Sequence, residues 1–479
     1  MDLLSLSTLL PEITLTLAAL LLLMVGVFMG DRVTNAVTQF AVLALLLVAA
    51  ALGATMWGVE ADFHLTGPQG FVDVSLFTSL IKLMVLITAA GALLLATGYL
   101  RREEIYKPEY AVLVLLAVTG MCLMLSASNF LMLYMGLEMQ SLCLYVLAAF
   151  RRDATRATEA GLKYFVLGAL ASGLLLYGIS LVYGFTGSLS FAEVATALSQ
   201  DSSRGALVGF GFILVALLFK VSVAPFHMWV PDVYEGAPTP VTAFFSVVPK
   251  IAAFGLLMKV CYGPFAPLQD KWLWLLPVLA AITMLWGAIA AIGQTNLKRL
   301  LAYSSIGHVG FALMGLAAND PRSVIVYLAF YAVMSLGVFA VLLLMHRDER
   351  MLETIDDLAG LSRVHPGLAA AMAILMFSMA GIPPLVGFFT KLYVFVAAVQ
   401  ADLIWLAVIG AVASVVGAYY YLNVIKVMYF DEPVAKYDRF TDGNLTGTVT
   451  AMAVLSVAGL LLIAPVVMLA QYAVHLLKP

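Results

Sequence analysis

The amino-acid sequence predicts an all-α polytopic membrane protein of about fourteen transmembrane helices. Three observations carry that prediction. Of 479 residues, 63% are hydrophobic and only 11% are charged, whereas about a quarter of a water-soluble domain is charged. The apolar residues fall into runs of about 20, the length that crosses a bilayer core at a rise of about 1.5 Å per residue. The basic residues concentrate in alternate connections, the pattern of cytoplasmic loops.

The runs lie at 3–28, 33–58, 73–99, 110–127, 129–150, 160–185, 205–224, 241–262, 272–292, 301–317, 323–345, 366–398, 402–430 and 447–474. Unpaired backbone is not tolerated in hydrocarbon, so these are helices or a closed barrel. Barrel strands would be about ten residues long with alternating polarity, and no such alternation is present. Ser126, Ser128 and Asn129 mark a very short turn that divides 110–150 in two, and 366–398 is long for one span. The first run follows Met1 and Asp2 with no basic segment or small-residue cleavage site, so it reads as a retained span rather than a signal peptide. Cys122, Cys143 and Cys261 lie in or beside spans without metal-ligand spacing and read as small apolar filler.

With the N-terminus outside, fourteen basic residues, from Arg32 to Lys436 and Arg439, fall in inner connections; four, Arg204, Lys271, Arg322 and Lys478, fall outside. Both termini are therefore expected on the outer side. The longest connections have roughly twenty residues, too few for a soluble catalytic domain. No Gly-rich phosphate loop, CxxC or HExxH is present, so redox or ATP chemistry is expected on another chain. The formal net charge of -3 leaves no basic surface for nucleic acid.

Seven lysines and no arginine remain inside the spans: Lys82, Lys163, Lys220, Lys250, Lys259, Lys391 and Lys426. A lysine at mid-bilayer costs roughly 3 kcal/mol or more. Lys163, Lys259 and Lys426 lie near span ends, where their stems can reach the headgroups. Lys82, Lys220, Lys250 and Lys391 lie deeper. Glu138, in the middle of the fifth span, reads as the only carboxylate deep in a span, so a lysine partner is expected, Lys220 or Lys163. Burial disfavours an ammonium and a nearby carboxylate favours it. A row of such lysines can therefore pass protons as its carboxylate shifts, which arginine, held protonated, cannot do. His308 lies mid-span after Tyr303, Ser304 and Ser305, and a histidine relays a proton through either ring nitrogen; a hydrogen-bonded core histidine is the alternative. His227 lies near a broken helix end, as structure or as a gate.

Two spans should be broken. Pro225 interrupts FKVSVAPFHMWVPDVYEGAPTPVTAFF, and Gly381, Pro383 and Pro384 interrupt MAGIPPLVGFFTKLYVF. Breaks at membrane depth are tolerated beside protein or a water-lined cavity, and they mark ion sites. Lys220 precedes one break and Lys391 follows the other, which fits two inverted five-helix repeats, helices 4–8 and 9–13, with broken helices 7 and 12. The expected organisation is 1–109 as a three-helix region, 110–262 and 272–430 as the repeats, and 447–474 as a last helix.

Four stretches, LYMGLEMQSLCLYVL, FKVSVAPFHMWVPDVYEGAPTPVTAFFSVVPKIAAF, QTNLKRLLAYSSIGHVGF and MFSMAGIPPLVGFFTKLYVF, together resemble the antiporter-like membrane subunits of respiratory NADH:quinone oxidoreductase (complex I). The resemblance covers nearly the whole chain. It implies a proton relay of Glu138, Lys163, Lys220, Lys250, His308 and Lys391; at the position of Lys391 a sister subunit carries a glutamate. In that picture Glu138 and Lys220 form the ion pair that receives the signal from a neighbouring subunit, Lys250 and His308 form the central relay, and Lys391 leads to the exit.

The resemblance further implies a proton-translocating subunit in the bacterial inner membrane, with periplasmic termini. Its partners are other complex I membrane subunits and the lipid bilayer. No cofactor is expected on this chain; NADH, FMN, iron–sulfur clusters and quinone, expected to be ubiquinone, belong to the complex. The rival readings are a subunit of a multisubunit cation/proton antiporter, a subunit of a membrane-bound hydrogenase, and a non-transporting scaffold.

Overall fold

A computed structural model describes residues 7–56, 64–67, 70–201, 203–347, 350–433, 443–475 and 477. Lys436, Arg439 and Lys478, which entered the charge asymmetry, lie outside the described residues. Among the described residues each of the fourteen runs contains α-helix. The first two, Leu10–Met29 and Thr34–Met56, are joined by one tight turn at Gly30–Val33. The third to sixth are Leu76–Arg102, Pro108–Ser126, Phe130–Ala148 and Thr155–Thr186. The seventh is Arg204–Val221, followed by a short helix Val230–Gly236; the eighth is Thr239–Tyr262. The ninth to eleventh are Leu275–Ile292, Leu297–Ala317 and Pro321–Leu344. The twelfth is split into Pro366–Ala380 and Val386–Gln400, and Ile404–Phe430 and Gly443–Ala473 complete the set.

Burial orders these helices. Every residue of the eighth span is buried, whereas the first two and the last present apolar side chains such as Leu21, Phe28, Phe40 and Leu461 outward. An outward apolar face of this extent fits lipid or another membrane subunit as its surroundings.

The same devices build two successive five-span units. Asn129 caps the fifth span through Leu131 N, and Asn296 caps the tenth through Arg299 N. Each cap pairs with the connection that follows the next span, Asn129 with Ser190 and Asn296 with Thr354. Backbone bonds repeat on both sides: Phe130 N to Leu189 O and Phe191 N to Ser128 O in one unit, Leu297 N to Glu353 O and Ile355 N to Thr295 O in the other. The fourth span crosses the fifth where a Cβ on Gly120 would lie 2.6 Å from Gln140 N. The ninth crosses the tenth where a Cβ on Gly287 would lie 2.9 Å from Tyr303 O. Only glycine permits such backbone approach. Because each unit has an odd number of spans, the second runs opposite to the first.

The breaks match as well. Ser222 and Gly381 both take left-handed backbone, with φ of 73° and 86°. In each, the next residue donates back to the carbonyl five positions earlier, Val223 to Leu218 and Ile382 to Phe377, at 3.0 Å. This is the closing bond of a Schellman end. The Ala224–Pro225 and Pro383–Pro384 peptide bonds are cis.

One expectation is corrected in the outer spans. Glu138 is not the only deep carboxylate: Glu12, near the start of the first span, is 2% exposed. Its Oε1 accepts from Lys82 Nζ at 2.5 Å and from Ser126 Oγ at 3.0 Å. Pro11 and Glu12 open the first span, and the helix that follows turns the carboxylate inward against the third and fourth spans. Lys259, expected to snorkel, is instead held inside: its ammonium bonds the Leu125 carbonyl at 2.9 Å and stands 3.8 Å from Asp73. Lys426 does reach outward, 3.9 Å from Asp431. Removing one partner of a buried ion pair costs about 3–5 kcal/mol. Glu12→Gln is therefore expected to lower the thermal stability of the purified protein and the amount assembled on native gels, with Glu12→Asp milder; unchanged stability would show that the pair contributes nothing.

Candidate functional site

Each break has a lysine close by, and at the second break the ammonium meets a helix-end carbonyl. The end of a helix carries unpaired C=O groups and partial negative charge, which favours a cation. Lys220 lies in the last turn of Arg204–Val221, 6% exposed. Lys391 lies in the second half of the twelfth span and reaches back, its Nζ donating to the Ala380 carbonyl and to Ser414 Oγ, both at 3.0 Å. Ala380 is the last residue before the break. Phe311 presents its ring face 5.0 Å from the same ammonium, a favourable contact for a desolvated cation.

Lys220 does not pair with Glu138. Its Nζ donates to Ser141 Oγ at 2.8 Å and stands 5.8 Å from the Tyr145 ring. Glu138, Ser141 and Tyr145 lie at three- and four-residue spacing on one face of the fifth span, so the glutamate is one turn away from the lysine. Glu138 Oε1 is buried with no hydrogen-bond partner, and no ion pair joins Glu138 to a lysine among the described residues. The serine between them, not visible as a partner from charge alone, is what the sequence reading missed.

Lys250 lies halfway along the fully buried eighth span. Its ammonium donates to Ser305 Oγ of the tenth span, with the Tyr234 ring centroid 5.5 Å away. One turn beyond Ser305, His308 is bonded at both ring nitrogens: Nδ1 to Tyr327 Oη at 2.6 Å and Nε2 to Tyr421 Oη at 3.1 Å. Tyr421 Oη also bonds Ser304 Oγ. His308, Ser304, Tyr421, Ser414 and Lys391 line one cavity of about 20 Å³, enough for a single water molecule. Lys250, Ser305, His308, Tyr421 and Lys391 are thus brought together by the eighth, tenth, twelfth and thirteenth spans. Hydroxyls both donate and accept, so this cluster can pass a proton between nitrogen atoms that do not touch. Tyr327, Tyr421 and Ser414 were not singled out in the sequence; a tyrosine in an apolar run carries no mark distinguishing a relay from a core side chain.

Lys163 and His227 stand apart from this cluster. The Lys163 side chain is 42% exposed and pairs with Glu159 at 2.7 Å and Asp232 at 2.8 Å, so the expected contact with Glu138 is not made. Two carboxylates nearer the helix end hold it instead. His227 lies within the seventh break, 5.6 Å from the Trp286 ring. No group of three or more His, Cys, Asp or Glu suited to a metal occurs among the described residues.

Fourteen spans with two inverted, broken-helix units and a buried lysine row define an antiporter-like membrane subunit. The family model described as "NADH:quinone oxidoreductase/Mrp antiporter, TM" matches residues 127–417, and the chain belongs to that family. The NADH-quinone oxidoreductase subunit N of Parvibaculum lavamentivorans is 50% identical over 474 residues, covering 98% of this chain and 97% of that protein. A chain of respiratory complex I from Thermus thermophilus, solved with bound aureothin, superposes with a TM-score of 0.80 at 33% identity, covering 96% and 99% of the two chains. A chain of the Mrp complex from a Dietzia species shares the fold, with a TM-score of 0.86 at 23% identity over 99% and 97%.

Tyr421→Phe keeps the ring and removes the hydroxyl that bonds both His308 and Ser304. Leaving such groups without a partner costs about 1–3 kcal/mol, so a lower midpoint of thermal unfolding in detergent is expected. An unchanged midpoint would show that other groups satisfy His308.

Proposed function

We propose that this chain is the subunit N-type, proton-translocating membrane subunit of a bacterial NADH:quinone oxidoreductase. Electron transfer from NADH to quinone takes place on partner subunits that hold FMN and iron–sulfur clusters, with ubiquinone as the quinone. This chain couples to that reaction by moving protons through its buried row. Half-identity to a subunit of that name over nearly the whole chain supports the assembly. The observation that carries the transport reading is the placement of Lys220 and Lys391 at opposite helix breaks, with Lys250 and His308 buried between.

The row works by moving charge rather than by fixed pairing. Glu138 lies one turn from Lys220, bound to no lysine. A change of charge at Glu138 alters how strongly Lys220 holds its proton, without the two side chains having to separate. Lys250 exchanges with His308 through Ser305, and His308 with Lys391 through Tyr421, Ser414 and an intervening water. Lys391 faces the outer side, and Lys163 stands at the inner mouth. The chain sits in the inner membrane with both termini periplasmic, among sister membrane subunits and lipid. Residues 110–262 and 272–430 form the two transporting units, with 1–109 and 447–474 packed against them.

The test uses inverted membrane vesicles carrying Lys220→Ala, with assembly checked on native gels and NADH-driven quinone reduction followed together with the proton gradient. An assembled enzyme is expected to lose most of both, on the scale of about a hundredfold for a lost proton-transfer group. Near-normal values would leave Lys220 a structural charge. If the variant does not assemble, Lys250→Ala takes its place with the same two outcomes.

A further inference from the structure

The segment VPDVYEGAP is part of the longest motif in the sequence, and the relay makes no use of its two carboxylates. Its short helix, Val230–Gly236, follows the first break. Asp232 stands ten residues past Ser222, and Lys391 stands ten past Gly381, the matching left-handed residue of the second break. Asp232 and Lys391 therefore both lie in the helix that follows their unit's break, as the third residue of Val230–Gly236 and the sixth of Val386–Gln400. Because the units are inverted, the two positions face opposite sides of the membrane.

Their surroundings differ. Lys391 has only neutral partners, a hydroxyl and a carbonyl. Asp232 is clamped by two cations: Oδ2 accepts from Lys163 Nζ of the sixth span at 2.8 Å, and Oδ1 from Arg299 Nη1 of the tenth at 2.9 Å. The same Arg299 nitrogen donates to Glu235 at 2.8 Å. These groups, with Arg156 and Glu159, line an open cavity of about 180 Å³. A carboxylate held by two cations stays ionised, so this position is a fixed charge where Lys391 is an exchangeable one. Between Asp232 and Glu235 lies Tyr234, fully buried, whose ring stands over the Lys250 ammonium. The tenth span that anchors Asp232 through Arg299 also carries Ser305, the hydrogen-bond partner of Lys250.

We infer that this cavity is the cytoplasmic mouth of the relay and that Asp232 is its positioning residue, seating the Val230–Gly236 helix between Lys163 and Arg299 so that Tyr234 covers Lys250. Lys163 then serves as a fixed positive charge and passes no proton onward. The inference rests on the proposed relay and on the orientation with termini outside.

Inverted vesicles turn the mouth toward the assay medium. With assembly matched on native gels, Asp232→Asn is expected to reduce NADH-driven proton pumping by about tenfold to a hundredfold, the cost of misplacing a group near the chemistry. Asp232→Glu restores most of it. Lys163→Arg keeps most of the pumping, because arginine preserves the charge and cannot release a proton. On a Tyr234→Leu background Asp232→Asn adds little further loss, since coupled residues are not additive. Normal pumping by Asp232→Asn, loss in Lys163→Arg as deep as in Lys250→Ala, or additive losses with Tyr234→Leu each overturn the assignment. If Asp232→Asn does not assemble, Asp232→Glu and Lys163→Arg decide by the same criteria. Lys250→Ala, run alongside, separates the two failures: if it pumps normally the relay itself falls, whereas a dead Lys250→Ala beside an unaffected Asp232→Asn overturns only the mouth.

Discussion

An ammonium group inside a bilayer has to find negative charge or oriented dipoles without bulk water, and the rest of this structure follows from how that is met. The two helix breaks expose carbonyl ends at membrane depth; Lys391 donates to one of them, whereas Lys220, in the last turn before the other break, donates to Ser141 of the fifth span. A continuous helix has no free carbonyls to offer. The break is therefore both the cause of the site and the reason its surroundings are so fully packed: loose backbone in hydrocarbon must be covered by protein. That cover is the eighth span, buried on every side, with the tenth and eleventh nearly so.

The charges in and beside the core fall into two kinds. Lys82 with Glu12, and Asp232 with Lys163 and Arg299, are neutralised in direct ion pairs. Lys220, Lys250 and Lys391 are given hydroxyls, aromatic faces and carbonyls instead. Full ion pairing fixes a charge in place, because separating the pair in low dielectric is costly. A hydroxyl accepts from the ammonium and can equally donate to the neutral amine, so it stabilises either state. The division between ion-paired and neutrally partnered lysines thus lies in the partners of each lysine rather than in its depth.

The repeat explains how one design yields both kinds. Matching glycines, asparagine caps and left-handed residues show that the two units share a backbone plan. Side chains in the helices that follow the two breaks differ, as Asp232 and Lys391 do. The helix after the first break carries a carboxylate held by two cations, and the helix after the second carries a lysine with neutral partners. A plan of this kind gives a transporter two unlike ends without a second fold.

Much of this was legible in the amino-acid sequence. Spans are set by runs of apolar residues long enough to cross a bilayer, breaks by Pro225 and by Gly381 with Pro384, and candidate carriers by lysines where a lysine is costly; each is a local property. Pairing is not local. Glu12 stood too near the chain start to look buried, and only the packing of the first span on the third and fourth put it against Lys82. The choice of Ser141 rather than Glu138 for Lys220, and of Asp232 rather than Glu138 for Lys163, depended on which turn of one helix meets which turn of another. Sequence by itself determined that charges are buried and roughly where, because burial in lipid follows from composition and length. The tertiary structure alone decided which charges are held in ion pairs and which meet hydroxyls and carbonyls, because that depends on atoms brought within about 3 Å by helices distant in the chain.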